Sequence, residues 1–323
     1  MGTRRSGLGL ALAATLALLA MVAVGPRARL GEAPAPVDLP EDLDAYLGRS
    51  EQGVPDLRPG DQKEIVWVNG TPDRTPLSVV YLHGFSADRH EIDPVPRLVA
   101  ESLGANLYYT RLSGHGRDGP ALGGVRASDW LRDTEEALAV GARIGERVVV
   151  VGTSTGGTLA VWGAARASRR EALQALILIS PNFQPRNRAS RLLLWPWGGL
   201  LSRIIVGPER CFEPANREQA RHWTPCYPTR ALLPMMALVE AVRTMDVGEI
   251  RTPVLILHGE DDQVVDLAET RRVFRDLGSP LKRIYGVPEA DDREHHVLAG
   301  RILSPRATGI VTRRIVAFVK ETS

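Results

Sequence analysis

The chain has 323 residues, with 40 Lys and Arg against 38 Asp and Glu and a formal net charge of +2. That near balance excludes a polybasic nucleic-acid binder, so no nucleic-acid partner is expected. An apolar fraction of 44% is that of an ordinary globular chain with ample material for a core, which excludes a disordered or low-complexity protein.

Arg4 and Arg5 precede an uncharged run, Ser6 to Gly25, of 20 residues rich in Leu and Ala. A positive end followed by an apolar stretch is the form of an export signal or an uncleaved anchor. The run is long enough to cross a bilayer as a helix. Ala23-Val24-Gly25 offers small residues for cleavage, although Pro26 follows them directly. Residues 1–25 are therefore read as a signal peptide or membrane anchor, with the protein at the cell envelope and the membrane a partner through this segment. Pro26 to Pro40 turns to Pro, Ala and Gly, which suits a flexible tether. Residues 26–60 form a linker and short amino-terminal segment, with a short amphipathic helix expected over Leu39 to Leu47.

Strands are expected at Glu64 to Val68, Leu77 to Leu82, Asn106 to Leu112, Val148 to Val151, Ala175 to Ile179, Val254 to Leu257 and Lys282 to Val287. Helical patterns fall between them at Val95 to Leu103, Ala127 to Ile144, Ser154 to Ala167, Asp266 to Leu277 and Pro305 to Val319. Alternation of strand and helix predicts a mostly parallel sheet covered on both faces. Residues 61–180 and 252–323 make the two parts of this core. Between them, residues 181–251 break the rhythm. No strand is evident there, and a stretch of this length is too long for a loop, so an inserted helical cap is expected. Its Leu192 to Leu201 run holds two tryptophans and five leucines and reads either as cap packing or as an acyl-binding wall. Cys211 and Cys226, the only cysteines, could pair in an exported domain or remain free thiols. Neither has a second ligand at finger-like spacing, so no metal is expected from them.

The chemistry gathers at Arg147 to Trp162. Four valines, Val148 to Val151, read as a strand buried on both faces. They run into Gly152-Thr153-Ser154-Thr155-Gly156, a G-x-S-x-G pattern followed at once by an apolar helix. Strand, sharp turn and helix make this a nucleophile elbow with Ser154 at its tip. Gly152 and Gly156 are needed because a Cβ at either place would meet neighbouring backbone. A serine hydroxyl requires a base, and the base an orienting carboxylate. Val254 to Leu257 runs into His258-Gly259-Glu260-Asp261-Asp262, which puts acids just past a strand end. His295 and His296 follow the acids, whereas His83, His115 and His258 sit beside glycines and are expected to hold loop backbone. His90 and His222 carry no motif and read as surface residues. For the oxyanion, Thr155 supplies one N–H at the helix start and Phe85, in His83-Gly84-Phe85 after a strand, supplies the second.

Together these pieces resemble the α/β-hydrolases, nearest the branch of monoglyceride lipases, carboxylesterases and serine aminopeptidase-like enzymes. The matching residues are His83-Gly84-Phe85, Gly114-His115-Gly116, Asp129-Trp130 with Asp133, Gly152 to Gly157, and His258-Gly259 through Val265. The resemblance implies the order Ser, acid, His along the chain, with the acid three residues after the glycine of the HG turn, which is Asp262. It also implies a base followed by small apolar residues, which favours His296 over His295. Threonine at both x positions of the elbow, and Ser113 where proline often precedes GHG, depart from the family pattern. The implied activity is hydrolysis of a small-molecule acyl ester through an acyl-enzyme, with no cofactor or metal. A serine aminopeptidase would use the same parts, with cap carboxylates such as Glu209, Glu213, Glu218 or Glu240 for an α-ammonium. A hydrolase-like binding protein would have lost a triad member, whereas here every role has a candidate.

Overall fold

The computed structural model describes Thr15 and residues 24–322. The leader expected over residues 1–25 therefore lies outside the described residues, apart from Thr15, Val24 and Gly25. Among the described residues no helix is long and apolar enough to cross a membrane.

The strands are β1 (Glu64–Val66), β2 (Thr75–Leu82), β3 (Asn106–Tyr109), β4 (Gly145–Thr153), β5 (Leu173–Ile179), β6 (Glu209–Cys211), β7 (Cys226–Pro228), β8 (Val254–His258) and β9 (Lys282–Gly286). The helices are α1 (Leu43–Gln52), α2 (Val95–Leu103), α3 (Gly119–Leu122), α4 (Ala127–Ile144), α5 (Thr155–Arg166), α6 (Gly198–Ile205), α7 (Arg217–His222), α8 (Leu232–Thr244), α9 (Leu267–Asp276) and α10 (Thr308–Glu321). Seven strands form one sheet in the order β1-β3-β2-β4-β5-β8-β9. Only β1 runs antiparallel to its neighbour; the other pairings are parallel.

The valine run explains why β4 sits centrally. Side chains alternate across a strand. Val148 and Val150 accordingly enter one core with Trp130 and Leu131 of α4 and Leu159 of α5. Val149 and Val151 enter the other, with Val95 and Val99 of α2 and Ile315 and Phe318 of α10. A strand with both faces buried can afford no polar side chain in its middle, which is the continuous apolar run read in the sequence. β3 ends at Tyr109, earlier than Leu112, where Thr110 closes the pairing with β2 by donating to the Tyr81 carbonyl through both its N–H and its hydroxyl.

Residues 181–251 differ from the expected purely helical insertion. They contain α6, α7 and α8, but also the antiparallel pair β6–β7, in which Cys211 faces Cys226. Each strand has three residues, too few for a period-2 pattern to register. The two cysteines are joined in a disulfide with Cα atoms 4.1 Å apart. α8 packs deep: its Met236, Leu238, Val239 and Val242 are fully buried in the core that also holds α5. The Leu192 to Leu201 run divides in the same way. Leu193 is buried, whereas Trp195 is 59% exposed.

The disulfide spans 15 residues of sequence. Closing a loop of that size restricts the unfolded chain, so removing the bond as Cys211→Ser with Cys226→Ser should cost about 3 kcal/mol. Urea denaturation checks this. An unchanged midpoint would mean that β6–β7 melts independently of the rest.

Candidate active site

Ser154 stands between β4 and α5 with φ 51° and ψ −115°, in the left-handed half of the map that a non-glycine residue seldom occupies. Its neighbours dictate that strain. A Cβ on Gly156 would lie 2.0 Å from the Leu82 carbonyl oxygen, and one on Gly152 would lie 2.5 Å from the Gly156 oxygen. The turn is thus wedged against the end of β2. The Ser154 N–H donates to Ile179 O at 2.9 Å, and its carbonyl accepts from Asn182 N at 3.0 Å, which ties the elbow to the end of β5.

Asp262 lies past the end of β8, the neighbour of β5, and is buried. Its Oδ1 accepts from the N–H groups of Val264 and Val265 at 2.8 and 2.9 Å. Its Oδ2 lies 2.8 Å from His296 Nδ1. The structure therefore brings Asp262 and His296 together, while Asp261 is exposed and makes no such contact among the described residues. The two loops are also joined where Gln263 N donates to Glu294 O at 2.9 Å. Burial drives the imidazole of His296 toward its neutral form. The Asp262 charge and hydrogen bond, with Glu91 and Asp292 nearby, outweigh this and hold its pKa above the ordinary histidine value.

Among the described residues, Ser154 Oγ and His296 Nε2 make no hydrogen bond to one another. Such contacts are often loose without substrate and tighten in the complex. The N–H of Thr155, at the first position of α5, has no intrahelical acceptor. Phe85 N–H likewise has no backbone acceptor among the described residues.

The motif histidines hold backbone as expected at two places. His83 Nε2 accepts from Leu112 N, and His115 Nε2 accepts from Ser86 N, each at 3.1 Å. Burial pushes the His83 pKa down to about 4, so its ring is the neutral acceptor this bond needs. His258 instead leaves a buried Nδ1 without a partner. Asp133 Oδ2 accepts from Ser113 N at 2.6 Å and Trp130 Nε1 donates to Ser113 O at 2.9 Å, so both residues hold the Gly114-His115-Gly116 turn.

Three residues important to this geometry escaped the sequence reading. Asp292 Oδ2 accepts from both His296 N and Val297 N, at 3.0 and 2.9 Å, and so shapes the loop that presents His296. Glu91 is buried beneath the His83-Gly84-Phe85 turn, where its Oε2 accepts from Gly84 N at 2.8 Å and Tyr81 Oη at 2.9 Å. Burial raises its pKa to about 7 against the pull of those two donors. His222, read as a surface residue, is buried with Nδ1 3.0 Å from Asp88 Oδ2. A lone Glu among polar residues carries no spacing that could have revealed Glu91. Asp292 sits in the polar loop before His295-His296, which was the available hint.

Comparison with known proteins agrees with this architecture. The family described as Serine aminopeptidase, S33 matches residues 76–291. The thermostable monoacylglycerol lipase of Bacillus sp. (strain H-257) is 25% identical over 211 residues, covering 65% of this chain and 80% of the lipase. Among solved structures, a metagenome-derived lipolytic enzyme (LipS or LipT) superposes with TM-score 0.65 at 19% identity, over 82% of this chain and 100% of that one. A soluble variant of monoglyceride lipase from Saccharomyces cerevisiae, bound to a substrate analogue, gives TM-score 0.59 at 16% identity, over 90% of this chain and 99% of that one. With the family match spanning two thirds of the chain and a mostly parallel sheet covered by helices like that of these α/β-hydrolase neighbours, the chain belongs to the Serine aminopeptidase, S33 family.

Proposed function

We propose that the protein is a serine hydrolase that cleaves small carboxylic esters, of short to medium acyl chain or monoacylglycerol-like, through an acyl-enzyme. The observation that carries this reading is the buried Asp262–His296 pair at 2.8 Å, together with an elbow that holds Ser154 at positive φ. Ser154 Oγ attacks the acyl carbon as His296 Nε2 takes its proton, and the Asp262 carboxylate steadies the imidazolium. The N–H groups of Phe85 and Thr155 donate to the oxyanion of the tetrahedral intermediate. Collapse expels the alcohol, which receives the proton from His296. Water then repeats the sequence on the acyl-enzyme, and no metal or organic cofactor takes part.

The lipase relatives support an ester. The aminopeptidase reading draws on the family's description, but the cap carboxylates give it little. Glu209 and Glu218 are exposed, and Glu240 pairs with Arg243 at 2.9 Å. Hydrolysis of a chain-length series of p-nitrophenyl esters, beside a panel of aminopeptidase substrates, tests the choice. Ester turnover with peptide substrates untouched is expected, and efficient release of amino-terminal residues without ester cleavage would overturn it.

The same reading holds the domain at the envelope membrane through residues 1–25. In its support, Trp197 N donates to Pro26 O at 2.8 Å, so the stretch just after the leader lies beside α6. There Leu200, Ile204, Ile205 and Val206 form an exposed apolar ridge, Ile204 being 71% exposed. Arg203, in the last turn of α6, adds a cation that suits an anionic lipid surface.

A further inference from the structure

Outside the site built on Ser154, four side chains from three distant segments converge. Asp61 comes from the stretch before β1, Asp88 and His90 from the loop after β2, and His222 from the end of α7 in the insertion. Each offers one donor atom, and the four atoms lie within 4.8 Å of one another. Asp61, Asp88 and His222 are buried, Asp61 being only 2% exposed.

Three of the spacings lie near those of a coordination shell. His222 Nδ1 lies 3.0 Å from Asp88 Oδ2 and 3.7 Å from Asp61 Oδ1, and His90 Nδ1 lies 3.6 Å from Asp88 Oδ1. Zinc bonds to nitrogen and oxygen of about 2.0–2.1 Å put the edges of a ligand tetrahedron at roughly 3.3–3.4 Å. One further feature points to a ligand rather than to a closed polar network: His90 Nδ1 is buried with no hydrogen-bond partner. An unpartnered buried polar atom is costly, and so is a pair of neighbouring buried carboxylates.

We propose that Asp61, Asp88, His90 and His222 form a structural divalent-cation site, with Zn²⁺ the ion that fits. Two imidazole and two carboxylate donors suit Zn²⁺ better than Mg²⁺ or Ca²⁺, which require more oxygen ligands. Four protein ligands leave no open position, so the site is structural rather than catalytic. Arg58 supports it from outside. Its Nε lies 3.0 Å from Asp61 Oδ2, and its Nη1 donates to the carbonyls of Arg221 and Trp223, both at 2.9 Å. No thiolate competes, because among the described residues both cysteines are in the disulfide. A bound ion would staple the amino-terminal segment, the oxyanion loop and the insertion together at one point. Thr224 N already donates to Ser86 O at 2.7 Å just beside it.

The test uses the full chain stripped with chelator, then titrated with ZnCl₂ by calorimetry and with CoCl₂ by visible absorption. One Zn²⁺ per chain is expected, with a raised melting temperature and an intense visible Co²⁺ band of four-coordinate type. Asp88→Asn and His222→Ala should each weaken binding by at least about 100-fold, and Arg58→Ala by about 10-fold or more, the range for partners that orient ligands. No saturable uptake by the stripped wild type overturns the proposal. So does uptake that survives both Asp88→Asn and His222→Ala. Should those variants not fold, the wild-type cobalt spectrum still decides: a weak, six-coordinate band or none rejects the site.

Discussion

Ser154→Ala is expected to lower kcat on esters by on the order of 10⁶, the scale found when a triad nucleophile is removed. The fold should not register the change. Among the described residues the Ser154 hydroxyl makes no hydrogen bond, so alanine leaves no donor or acceptor unpaired. Alanine also keeps the Cβ, so the strain at φ 51°, of order 1–3 kcal/mol for such backbone, is the same before and after. The elbow is held by backbone instead, through Ser154 N to Ile179 O and Asn182 N to Ser154 O. Melting temperature should therefore match wild type while labelling by a fluorophosphonate probe disappears. Ester turnover near the wild-type rate would remove Ser154 from the mechanism. A large fall in melting temperature would mean that the lost activity reports unfolding.

The fold was legible wherever burial leaves a run or a period. β4 is buried on both faces, so its valines stand uninterrupted, and α2 and α4 fall on the residues their periodicity names. Strand ends and polar loops narrow the acid and base to Asp261 or Asp262 and His295 or His296, and the resemblance to the α/β-hydrolases implies Asp262 and His296 among them. Where contacts join distant segments through single residues, the sequence is silent. Glu91 meets Gly84 across a loop, His222 meets Asp61 and Asp88 across the insertion, and β6–β7 has three residues on each side. Each is specified by tertiary packing, which has no period to read. The insertion's packing is hidden for a related reason. α8 is apolar nearly all round because it is core, and such a helix looks alike from sequence whether it roofs a pocket or underlies the nucleophile helix.

Asp262→Asn is expected to lower kcat by about 10⁴, the cost of neutralising a triad carboxylate, with little loss of fold. The geometry says why so small a change should matter. The oxygen of the new amide can still accept from Val264 N and Val265 N, as Asp262 Oδ1 does at 2.8 and 2.9 Å. Its NH₂ then faces His296 Nδ1, where Oδ2 had accepted. A donor there selects the tautomer with the proton on Nε2, which cannot take a proton from Ser154. The pH profile provides a second readout. His296 must be neutral to act as base, and the Asp262 charge holds its pKa above the ordinary value of about 6.5. In the wild type kcat/KM should thus fall as pH drops through a midpoint above 6.5, and in Asp262→Asn that midpoint should move down because the charge favouring the imidazolium is gone. Asp261→Asn is the control. Its side chain is exposed and touches no histidine among the described residues, so both rate and midpoint should stay close to wild type. If Asp261→Asn proves the more damaging change, or the acid midpoint is the same in all three proteins, Asp262 is not the residue that orients the base.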